Sequence, residues 1–149
     1  MVTTTTPLSA DSGVTPQSLP TNTLPEQPEL ALELELMDLL GYIYLQHGLP
    51  DKAAVLLTAR DVLAPDNPKT LLTLAVAQLR SEKAQRALTT LERMILLGAI
   101  DASFHLVHGQ VLQQLGRETE AASAMRAHIA TRQVGSRQSN SSHSSHKKP

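Results

Sequence analysis

Between Glu29 and Arg132 the chain strings apolar clusters between short polar breaks, and their period is helical. The one ambiguous stretch, Glu29 to Leu36, reads ELALELEL and alternates as a half-buried strand would. Its residues are Leu, Glu and Ala, strong helix formers without a β-branch. The run also passes into MDLLGYIYLQ without a turn signal, so it opens a long first helix. The punctuation supports this pattern. Gly48 and Gly116 can adopt the left-handed conformation that ends a helix, and Gly98 ends another. Asn67 before Pro68 is an N-cap with proline in the first turn, and Asp101 can cap the following helix. These signals predict six helices, over about 30–47, 50–63, 68–81, 84–97, 102–115 and 117–131.

The small and apolar positions recur. Gly41, Ala75 and Gly109 are spaced by 34 residues, and Ala53, Ala87 and Ala121 keep that step, as do Leu57, Leu91 and Met125. Small residues at the first set let the two helices of a hairpin approach closely, and the alanines do the same from the second helix. The period resembles that of the tetratricopeptide repeat. In the first copy Met37, Leu40, Gly41 and Tyr44 stand where W-x2-L-G-x2-Y is expected, Ala53 and Leu57 match A-x3-F, and Pro65 closes the unit. The second copy departs at Gln78, Glu82 and Ala99, the third at His108 and Gln133. The resemblance implies an all-α fold of three tandem helical hairpins, a short right-handed solenoid.

Composition agrees. The chain is 41% hydrophobic but only 2% aromatic, so its core must be built from Leu, Ala, Val, Ile and Met, which suits closely packed helices better than a sandwich or barrel. The absence of cysteine excludes disulfides and cysteine-ligated metal. A net charge of −1 offers no general attraction for nucleic acid. Charge is uneven, however: residues 29–66 carry seven acids and two bases, residues 67–100 two acids and five bases. Arg80, Lys83 and Arg86 gather at the second hairpin's turn, where they would meet either solvent or an acidic partner. Residues 1–28, rich in Thr and Pro, and residues 133–149, rich in Ser and His, have few apolar anchors and are expected to be disordered. The ordered domain is then 29–132. Met1 to Pro20 has no basic or apolar leader, and Asp38, Thr58 and Arg93 interrupt the apolar runs before they reach membrane-spanning length, so a soluble, cytoplasmic protein is expected.

Candidate chemistry is sparse. His105 and His108 lie three apart on one helix, a spacing that can hold a metal, but the sequence places no third ligand beside them. His143 and His146 fall in the tail. Glu33 and Glu35 point to different faces of their helix and make no acid–base pair. No nucleophile elbow, phosphate loop or metalloprotease motif is present. Neither catalysis nor a metal or cofactor is expected.

Protein binding is expected instead. In the tetratricopeptide fold the first helix of each hairpin lines a concave groove. Its ligand-facing positions correspond here to Glu35, Asp38, Tyr42, Leu45 and Gln46, then Lys69, Leu72, Val76, Leu79 and Arg80, then Ser103, Leu106, Gln110, Gln113 and Gln114. The centre of this set is apolar and suits an apolar peptide or helix. The same side chains could alternatively be covered by the N-terminal segment or by a second copy of the chain in a homodimer. If they face a groove, Leu72 and Leu79 should both accept glutamate without loss of the fold.

A closer resemblance narrows the partner. The segment LLGYIYLQHGLPDKAAVLLTARDVLAPDNP is similar to the opening repeat of the small chaperones of bacterial type III secretion, most of all the YscY (SctY) family. Tyr44, Leu45, Gln46 and Gly48 carry its turn. GQVLQQLGRETEAASAMRAHI is similar to that family's last hairpin. The resemblance implies a chaperone that binds a small export substrate of the YscX type and docks on the export-gate membrane protein of the YscV type. Other readings are a translocator chaperone of the LcrH/SycD type, whose repeats normally hold more aromatic residues, and a generic interaction scaffold.

Overall fold

The computed structural model describes residues 2–3 and 27–141 of the 149-residue chain. Most of the segment 1–28, and residues 142–149, therefore lie outside the described residues. The described chain is all-α. It forms α1 (Gln27–Gln46), α2 (Pro50–Leu63), α3 (Pro68–Arg80), α4 (Ala84–Leu96), α5 (Ala102–Gln114) and α6 (Glu118–Ser141). Successive pairs make three antiparallel hairpins stacked in chain order, the arrangement of a tetratricopeptide-like solenoid.

The helix ends follow local chemistry. Asn67 Oδ1 accepts from the amides of Lys69 and Thr70 at 3.0 and 3.2 Å, and Asp101 Oδ1 accepts from that of Phe104 at 2.7 Å, satisfying donors that open α3 and α5. At the other end, α1 closes with two bonds, Gly48 N–H to Leu45 O and Leu49 N–H to Tyr44 O, at 3.3 and 2.8 Å. This Schellman closure recurs at residues 82, 98 and 116 and places the central residue in the left-handed region, with φ of 68° at Gly48, 60° at Glu82, 69° at Gly98 and 75° at Gly116. Glu82 thus keeps the turn that its repeat lacks the glycine for.

The expected end of order at residue 132 is corrected, since α6 runs on to Ser141. Arg, Gln and Ser continue it, no proline interrupts it, and Gly135 does not take the left-handed conformation that would close it. Residues 131–138 are exposed, so this extension is a solvated helix and not part of the core.

The repeated small positions lie inside the hairpins. Gly41, Ala53, Ala75, Ala87, Gly109 and Ala121 are all buried. A Cβ on Gly41 would lie 2.7 Å from Leu57 Cδ2, and one on Gly109 would lie 2.9 Å from Met125 Cε. The same offset pairs Ala75 with Leu91, which is fully buried. Two apolar cores result. Leu45, Ala53, Ala54, Leu57, Leu74 and Ala77 pack the first hairpin onto α3. The second core joins α3 and α4 to the last hairpin, around Leu71, Ala75, Leu91, Phe104, Val111 and Leu112. α3 therefore supplies one face to each.

Polar bonds tie the first two hairpins together. Arg60 is buried, and its Nε donates to Asp38 Oδ2 at 3.0 Å, while its Nη1 donates to the carbonyl of Ala64 at 2.9 Å. Thr70 Oγ1 donates to the other Asp38 oxygen at 2.8 Å. Arg93 grips Asp61 with both terminal nitrogens at 2.7 and 3.2 Å and reaches Asp66 at 2.7 Å. Burial works against ionisation of Asp61, but the Arg93 bonds and the Asp66 amide outweigh it and hold its carboxyl below the usual carboxylate value.

Candidate protein-binding groove

Helices α1 and α3 lie side by side because each opens its own hairpin, and the seam between them is a groove. Near the C-terminal end of α1 it deepens into a hollow of about 210 Å³ lined by Tyr42, Leu45, Gln46, Leu72, Thr73, Val76 and Arg80. Thr73 also lines a second hollow of about 400 Å³, which runs toward the start of α1 past Asp38, Glu35 and Leu34 with Lys69 on the opposite wall. One end of the groove is thus apolar and the other charged. The apolar hollow is smaller than a typical small-molecule site of roughly 300–1,000 Å³ and fits one or two inserted side chains better than a whole ligand.

Its chemistry can be read atom by atom. Tyr42 is 55% exposed, so its ring is available to a partner. Leu72 and Val76 are half-buried and form the floor. Arg80 Nη1 donates to the carbonyl of Leu45 at 3.3 Å, a second donor to the oxygen that already accepts from Gly48 N–H where α1 closes. Gln46 stands exposed on the rim.

Nine of the positions expected to face a ligand thus line one continuous groove, but five expectations need correction. Leu45 is only 6% exposed and belongs to the first core, contributing just an edge to the hollow. Asp38 is held by Arg60 and Thr70, so its charge is already partnered. Leu72 and Leu79 pack against the second core, so neither is a purely surface residue and glutamate there would disturb the fold. The third-copy residues do not join: Leu106 is half-buried on α5, and Gln110 and Gln113 are exposed there without lining either hollow. The basic cluster is dispersed too, because Lys83 Nζ binds Asp51 at 2.6 Å while Arg80 turns to α1.

Sequence reasoning missed Arg60 and Thr73. A signal for the first existed. The 34-residue step aligns Asp38 with Leu72 and Leu106, and Arg60 with Met94 and His128. Opposite charges at two positions that the second copy fills with Leu and Met mark an internal pair. The histidines are packed and not arrayed around a metal. His105 and His108 flank Phe104 with ring centroids 5.5 and 5.3 Å from it. Burial, then the neighbouring His105, pushes the His108 imidazole below its ordinary value. Among the described residues no group of three or more His, Asp or Glu side chains is placed to hold a metal ion.

Fold and groove together define the class, a helical-repeat protein of tetratricopeptide-like hairpins with a short apolar hollow on its first-helix face. Compared with known proteins, the chain matches no family model and no curated sequence. No described helix is long and apolar enough to cross a membrane.

Proposed function

We propose that this protein is a non-catalytic chaperone that holds an apolar segment of another protein in the α1–α3 groove. The observation that carries the reading is the hollow itself: a floor of Leu72 and Val76 beside a Tyr42 ring that is more than half exposed. An exposed aromatic over an apolar floor is a typical anchor for a partner's side chain. The similarity of its first and last hairpins to the YscY family supports a specific setting. The partner would be a small type III export substrate of the YscX type, bound in the cytoplasm and brought to a YscV-type export gate.

The test uses variants that spare the cores. Tyr42→Ala removes the anchor, and Thr73→Arg fills the junction of the two hollows. Titrated calorimetrically with the purified export substrate, the double variant should bind at least tenfold more weakly, because losing one buried anchor costs about 1.5–3 kcal/mol. Its helical spectrum should match the parent's. Undiminished affinity would move the interface off this groove. Normal export of the substrate in cells lacking the protein would remove the secretion setting while leaving the groove untouched.

A further inference from the structure

The face of α1 turned away from the solenoid carries a second apolar feature. Leu32, Leu36, Leu39 and Ile43 are exposed, by 68, 52, 54 and 37%. Their spacing is four, three and four residues. Gly41 marks the side of α1 that meets α2, since a Cβ there would strike Leu57. At about 100° per residue, all four stripe residues fall within about 40° of the opposite direction. They form one continuous ridge, distinct from the groove residues that point sideways toward α3. The 4-3-4 spacing is the seam by which one helix packs along another.

Charge says what kind of helix. Glu29, Glu33 and Glu35 are exposed on α1, which contains no lysine or arginine. A second copy would bring its own glutamates to the same seam, which disfavours an α1–α1 dimer. The segment preceding α1 does not complement it either: residues 1–26 contain no lysine or arginine and hold prolines at 7, 16, 20 and 25.

We infer that the outer face of α1 is a second docking site, for an amphipathic helix of a partner protein with leucine-like residues along one stripe and lysine or arginine on its flanks. Apolar contact along the ridge supplies affinity, and the glutamates select a basic partner and orient it.

The probe is a synthetic helical peptide with leucines in a 4-3-4 stripe and lysines on both flanks. Two controls are the same stripe flanked by glutamates, and a lysine peptide of equal charge with the leucines scattered. Binding is read by fluorescence anisotropy on the full chain. The first peptide should bind, the two controls at least tenfold more weakly, and its affinity should fall as salt rises. Leu36→Asn with Leu39→Asn should weaken it at least tenfold. The groove variant Tyr42→Ala should not, which separates this site from the one proposed above. Equal binding of the glutamate or scattered peptide would overturn the inference. So would indifference to the asparagine variant, or a parent dimer in sedimentation that the asparagine variant makes monomeric.

Discussion

Each hairpin is held at one close contact, and the three copies solve it differently. Gly41 faces the branched Leu57, where an added methyl would meet both Cγ and Cδ2 at under 3 Å. Gly109 faces the flexible end of Met125. Gly41→Ala should therefore destabilise the protein by about 1–3 kcal/mol in urea denaturation, the usual cost of overpacking. Gly109→Ala should cost under about 1 kcal/mol, because a methionine tip can swing aside and alanine favours the helix. Equal costs at the two sites would contradict this account. Glu82 presents the reverse case, a side chain forced to φ 60° where its equivalents are glycines. Glu82→Gly should relieve about 1–2 kcal/mol of strain against a smaller loss from unfolded-chain entropy, a net gain of roughly 0.5–1 kcal/mol in the same assay. At this scale the sequence was most informative. A small residue every 34 positions states a packing requirement directly, whereas a glutamate at a glycine position conceals that the turn survives.

Between elements, the decisive contacts were less legible. The end of α6 was not, because QVGSRQ is polar enough to suggest disorder yet contains nothing that stops a helix. The Asp38–Arg60 pair, which joins α1 to α2 where the second copy has Leu72 and Met94, was legible only as a departure from the repeat. Arg60→Met alone strands Asp38 in a half-buried site. Since its side chain is 33% exposed, the loss should be nearer about 2 kcal/mol than the larger cost of breaking a fully buried pair. Adding Asp38→Leu recreates the apolar solution of the second copy and should recover most of that loss, a coupling that a double-mutant cycle measures directly. Additive losses would show that the two side chains do not act as a pair. The Asp61–Arg93 clamp between α2 and α4 has a pH signature. Its aspartate titrates below the unfolded value of 3.8, so its contribution is fully present above that pH and is lost as pH falls through the lower folded value. Thermal melts should show Asp61→Asn less stable than the parent at pH 7, with the difference shrinking below about pH 4.

For the whole molecule, the repeat period disclosed the three hairpins and the pairing of α1 with α3, but not that α5 stays out of the groove. It did not disclose how deep each groove residue sits. Leu72 and Leu79 occupy surface positions in the repeat pattern, but with few aromatics to fill the core the aliphatic side chains of α3 are drawn inward against it. The position of α3 has one more consequence. Because it lends Leu74 and Ala77 to one core and Leu71 and Ala75 to the other, its backbone can open only if both cores come apart, whereas α1 and α6 each border a single core. In a stack of repeats such openings proceed from the ends. Amide hydrogen exchange should therefore be slowest across Leu71–Gln78, faster in α1 and fastest across residues 131–138, so that the first hairpin can loosen while α3 remains closed as the fixed wall of the groove.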